Sequence, residues 1–213
     1  MLMPELMWGV SRRVMIHGAA FVSDATGRTK VNGGEVYGKY RVYSQDDVHD
    51  HFRVAVFGKY AFTSSPVHDQ YINLNNGNTG YEAGAVATRL HKKVALSASA
   101  SYLHANLNRG QVTDPGGSVR NAVNYTASAG KLMLPKEYRT YGQTNLNLMV
   151  EMLGQTNLRS GQTVLDLAPS VQFIFNSKMR VDLGYRIPVV TSLYRNMQPG
   201  GLIRFEYNFF NVY

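Results

Sequence analysis

The sequence predicts an all-β chain folded as an antiparallel, up-and-down transmembrane β-barrel, with about twelve strands when complete and about eleven visible in this chain. Three observations carry that expectation. First, long segments alternate with a period of two: Ile203, Phe205, Tyr207 and Phe209 share one face, and Arg204, Glu206 and Asn208 the other. The run before it repeats the pattern, with Met179, Val181, Leu183, Tyr185 and Ile187 opposite Arg180, Asp182, Gly184 and Arg186. Second, the connections alternate between short and long, as turns and loops do at the two rims of a membrane barrel. Third, the chain runs out on aromatic residues. A soluble β-sandwich is the competing fold. It expects a solvated polar face on every strand and does not predict the rhythm of the connections.

The elements follow in order from alternation and turn residues. Expected strands at 2–10 and 13–23 join through the short Ser11–Arg12 turn, and a polar stretch at 24–33 leads to a third at 34–44. A tight turn at 46–50 precedes the strand 51–63, and the longer 64–77 precedes 78–90. His91–Lys92 turns the chain into 93–105, and 106–119 carries it to 120–133. A short turn at 135–138 opens the strand 139–153, and 155–161 connects to 162–175. Asn176–Ser177 turns into 178–189, and 190–199 leads to the last strand, 200–210. The Gly-rich connections, Asn75-Asn76-Gly77-Asn78 and Pro115-Gly116-Gly117, have no helix behind them and are turn chemistry, not phosphate cradles.

Composition narrows the class. No run of about 18 apolar residues is present, which excludes a helical span. The 14 tyrosines and 9 phenylalanines suit strands and interfacial girdles. Zero cysteines exclude disulfides, thiolate catalysis and cysteine metal sites. The net charge of +8 is scattered through strands and turns, so nucleic acid is not an expected partner. It suits the anionic groups of surface lipid, or a lumen that prefers anions. One domain spanning 1–213 is expected, in the cell outer membrane of a Gram-negative bacterium. Residues 1–10 show no export signal, and an odd strand count breaks the even-number rule of bacterial barrels. A signal peptide and a first strand are therefore expected upstream of this chain. The alternative is a ten-stranded barrel in which the segment before Val10 is not a strand.

Several stretches resemble a known group. They are 167–178 (LAPSVQFIFNSK) with 181–186 (VDLGYR), and 202–210 (LIRFEYNFF). Residues 37–41 (YGKYR) and 51–60 (HFRVAVFGKY) are similar to earlier strands of the same group. Together they resemble the outer-membrane barrels of the "meta-pathway of phenol degradation" type, in the form common among Bacteroidetes. That resemblance implies a transporter of hydrophobic or aromatic compounds. Members of the group carry an export signal and an additional N-terminal segment that this chain does not show.

Charged residues assign the faces, because Arg or Lys on lipid at the midplane costs roughly 2–4 kcal/mol. Lys39, Arg41, Arg53 and Lys59 are expected inward on two neighbouring strands, and Glu151 and Asp166 on another pair. Arg180, Asp182, Arg186, Arg204 and Glu206 are expected inward on the closing hairpin. A basic wall facing an acidic wall would set up a transverse field that selects a solute. The same charges, paired across strands, would only fill and stiffen the interior.

Asp46-Asp47-Val48-His49-Asp50-His51 gathers carboxylates and imidazoles, but a tight turn is polar anyway and the spacing matches no metal cage. Ser97, Ser99 and Ser101 fall opposite His104, so no nucleophile–base pair is expected, and no catalytic motif appears. Ala98, Ala100, Ala127 and Ala129 make a smooth outward wall, and Trp8, Tyr40, Tyr60, Tyr81, Tyr102, Tyr141, Phe175 and Tyr185 read as girdle residues. The expected function is passive or facilitated uptake of small solutes, including hydrophobic or aromatic ones, with no cofactor and no enzymatic step. The runner-up is a plugged structural or loop-mediated interaction barrel. A lipid-modifying barrel enzyme is the third reading.

Overall fold

The computed structural model describes residues 2–23, 29–64, 70–106, 120–135, 142–193 and 199–209. Among these residues, eleven strands form one antiparallel sheet whose spatial order is the chain order. They are β1 (Glu5–Gly9), β2 (Val14–Ser23), β3 (Lys30–Asp46), β4 (Asp50–Thr63), β5 (Thr79–His91) and β6 (Val94–Asn106). β7 (Asn121–Leu134), β8 (Asn145–Asn157), β9 (Thr163–Phe175), β10 (Met179–Thr191) and β11 (Gly200–Tyr207) complete it. No helix among the described residues is long and apolar enough to cross a membrane.

β1 pairs with β2 from Glu5↔Ala19 to Gly9↔Met15, so the segment before Val10 is a strand and the ten-strand alternative fails on that point. β3 begins at Lys30, four residues before the expected start, because Val31 and Lys30 continue the ladder past a register shift at Phe21/Val22. Among the described residues β8 begins at Asn145; the expected residues 139–141, Tyr141 included, lie outside them. The Pro115-Gly116-Gly117 connection lies outside them as well.

Most of the β7–β8 connection lies outside the described residues, and β8 and β9 are joined by 158–162, a shorter stretch than the expected 155–161. The β8–β9 connection is tight because Asn157 Oδ1 accepts the Arg159 backbone N–H at 2.8 Å and Gly161 supplies φ +71°. The β9–β10 turn is short, as expected: 176–178 separate the strands, Phe175 pairs with Met179, Asn176 and Ser177 both have positive φ, and Lys178 N donates to Phe175 O. Positive φ at both central residues is the type I′ turn, whose twist matches the strands it joins.

The sheet is rolled. Laid flat, β1 and β11 would be about 48 Å apart at ~4.8 Å per strand. Instead Arg204 Nη2 on β11 lies 3.7 Å from Glu5 Oε2 on β1. No ladder joins these two edges among the described residues. Rolling gives every strand an inner and an outer face. The outer face carries exposed large apolar side chains on all eleven strands, for example Leu6, Ile16, Tyr60, Tyr81, Leu96, Leu148, Leu183 and Phe205. The buried core lies on the inner face towards the β4–β5 end: Phe21, Ala61, Leu103, Ala105 and Ala122 pack around Ile72 and Leu74.

Candidate functional site

Ile72 and Leu74 belong to no strand. They come from the β4–β5 connection, whose described part, 70–78, folds back onto the inner face. The fold-back is tied locally by Asn73, whose carbonyl accepts N–H groups of Gly77 and Asn78 and whose Oδ1 accepts from Asn75 N. Across the interior it is held by strands far away in sequence. Gln155 on β8, 1% exposed, accepts the Ile72 N–H at 2.8 Å and donates Nε2 to the Ile72 carbonyl at 2.9 Å. Asn124 on β7 fixes that amide by accepting Nε2 at 2.9 Å. Arg186 on β10 donates to the Tyr71 hydroxyl at 3.4 Å and lies 5.7 Å from the ring centre. Lys59 on β4 donates to Asn75 Oδ1 at 2.9 Å. Burying the Ile72 and Leu74 side chains contributes about 3–6 kcal/mol to this seat. The segment, called the stopper below, is seated on the inner face at this end of the rolled sheet.

Beneath it the charged side chains sort into local clusters. Lys59 Nζ is 3.4 Å from Glu35 and 3.8 Å from Glu82, and Ser101 Oγ donates to Glu82 at 2.5 Å. Arg186 Nε donates to the fully buried Asp166 at 2.5 Å. Arg180 lies 3.3 Å from Glu206, and Arg204 reaches both Glu206 and Glu5 at 3.7 Å. Arg53 is 3.0 Å from Asp46. Ladder register puts Lys39, Arg41, Arg53 and Lys59 on this one face of β3 and β4, and Glu151, Asp166, Arg180, Asp182, Arg186, Arg204 and Glu206 on the same face of β8 to β11. The expected opposition of a basic and an acidic wall is not there. Glu35 and Glu82 stand inside the basic side and neutralise Lys59 in place, and Arg186 does the same for Asp166 on the other side.

Sequence reasoning missed Glu35, Glu82, Gln155, Asn124 and the whole stopper. Glu35 was within reach, since it shares parity with Lys39 and Arg41. Apart from Glu82, the inner faces of β5 to β7 carry hydroxyls in place of charges: Thr88 meets Ser97 at 2.9 Å and Ser99 meets Thr126 at 2.8 Å. The serines and His104 lie on opposite faces, His104 Nδ1 being 2.7 Å from Asn121 Oδ1 on the outer side.

At the β3–β4 tip, hydrogen bonds from Arg53, then His51, then Ser44 hold the Asp46 carboxyl down at about 2. Asp50 is lowered mainly by the hydrogen bond from Arg89. Among the described residues no three His, Asp or Glu side chains converge as a metal site.

On the outer face Tyr60 pairs in register with Tyr81, and Tyr102 lies on the next strand opposite Ala83. Towards the other rim Tyr43 meets Phe52 and Phe173 meets Phe175. The chain matches no protein-family model, no curated protein and no solved structure.

Proposed function

We propose that the chain is a membrane-spanning β-barrel of the outer-membrane kind, closed at rest by residues 70–78, which passes small polar solutes when that segment yields. The observation that carries this reading is the division of the two faces. All eleven strands expose large apolar side chains outward while the charges named above turn inward, and unpartnered apolar surface on this scale calls for lipid. Two aromatic bands fit the two membrane interfaces. The uptake expected from the family resemblance changes in one respect. The inner wall is lined by hydroxyls and ion pairs, which suit a hydrated solute better than a hydrophobic or aromatic one.

A second reading, a plugged barrel that transports nothing, is favoured by how thoroughly Ile72 and Leu74 are buried. Ion conductance in planar bilayers separates the two. The full chain is compared with a variant in which residues 71–76 are replaced by glycine and serine. Rare, small openings in the full chain and large, steady steps in the variant support the gated path. Silence from both, with the variant folded and inserted, leaves the plugged barrel and defeats transport.

A further inference from the structure

The inward cations are not equivalent. Arg53, Lys59, Arg180, Arg186 and Arg204 each have a carboxylate within 4.0 Å. Lys39 and Arg41 have none among the described residues, and no register neighbour supplies one. Lys39 stands opposite Met15 on β2 and Phe57 on β4; Arg41 stands opposite Ala55, and its N–H is bound to the Arg13 carbonyl. On the same strand, Asp46 is committed to Arg53 and His51, and Glu35 to Lys59 and His17. Both cations are partly buried. Their neighbours on the stopper side are Tyr37 and Phe57, stacked with centroids 5.7 Å apart, with His17 against Tyr37 at 4.5 Å. Rings on one side and Met15 beside them lower the local dielectric, which raises both the cost of two bare cations and the value of an anion between them.

We propose that Lys39 and Arg41 form an oxyanion-binding site on the inner wall, taking a phosphate or carboxylate group. Positions i and i+2 on one strand face place the two heads about 7 Å apart at the backbone, a span that one tetrahedral or planar oxyanion bridges. Arginine offers a planar fork of donors and lysine a point charge, the pairing that phosphate and carboxylate sites use. Ala55 leaves room opposite Arg41 where a larger side chain would fill the space.

This site rests on the reading of the inner face as the wall of a solute path, so its test avoids conductance. Inorganic phosphate is titrated into the detergent-folded full chain and followed by phosphorus-31 line broadening. Lys39→Gln with Arg41→Gln is expected to weaken binding at least about tenfold, while Lys39→Arg with Arg41→Lys stays within about threefold of the parent. Lys92→Gln with Lys131→Gln, at exposed positions, leaves it unchanged. No phosphate binding by the folded parent, or equal binding by the Gln pair, overturns the proposal. Failure to insert into bilayers would instead strike the barrel reading and leave this result standing.

Discussion

Gln155 shows how one side chain sets the state of the interior. Its amide satisfies both backbone groups of Ile72, deep where water does not reach. Gln155→Ala strands both groups and removes the bond to Asn124, at a cost of about 2–5 kcal/mol. Hydrogen exchange at the Ile72 amide is the readout, and it should accelerate while exchange in β9 and β10 stays slow. Asp46 gives a pH prediction of definite sign. Its carboxyl titrates at about 2 in the folded chain against 3.8 ordinarily. A lowered carboxylate contributes stability above its unfolded value, and that contribution disappears as pH falls through about 2. Arg53→Gln removes the largest cause and should move the carbon-13 titration midpoint of Asp46 up towards 3.8. The inward charges were legible in the sequence because alternation is a strict parity. Their partners were not, since pairing depends on which strands roll into reach. The stopper was illegible for a different reason. Tyr71-Ile72-Asn73-Leu74 lies in a polar, Asn-rich connection, and nothing local says that two aliphatic side chains there will bury themselves against the inner faces of distant strands.

Strands were readable almost to the residue wherever alternation ran unbroken, as in β5 and β6. The errors gather where alternation stops. Register shifts at Phe21/Val22, Arg41/Tyr43, Leu132/Leu134 and Pro188/Val190 each change the parity or the pairing of the residues beyond them. Two glycines mark where strands are pressed together. A Cβ on Gly80 would drive into the His104 carbonyl and the Ala105 backbone of β6, which cannot turn aside. Gly80→Ala should therefore cost about 1–3 kcal/mol, read as a lower unfolding temperature. At Gly154 the obstacle is the ring of Tyr125, a side chain. Gly154→Ala alone is expected to destabilise, and adding Tyr125→Ala should restore part of the loss. A double-mutant cycle checks this; strict additivity would mean the ring had already moved away.

At the scale of the molecule, a single sheet in chain order has rolled until Arg204 and Glu5 meet across its two edges. That arrangement makes the faces unequal in a way a flat sheet would not. One encloses charge, hydroxyls and the stopper, and the other offers apolar side chains that no described part of the molecule covers. Lipid against that outer face is the central claim. Because the chain has no cysteine, single cysteines introduced along β10 can each carry a unique spin label. The decisive measurement is the accessibility of labels at 181–187, in lipid vesicles, to oxygen and to a water-soluble relaxation agent. A membrane barrel predicts a period of two, with oxygen access highest at Val181, Leu183, Tyr185 and Ile187 and low at Asp182, Gly184 and Arg186. Outer positions that respond to the water-soluble agent and not to oxygen would contradict it.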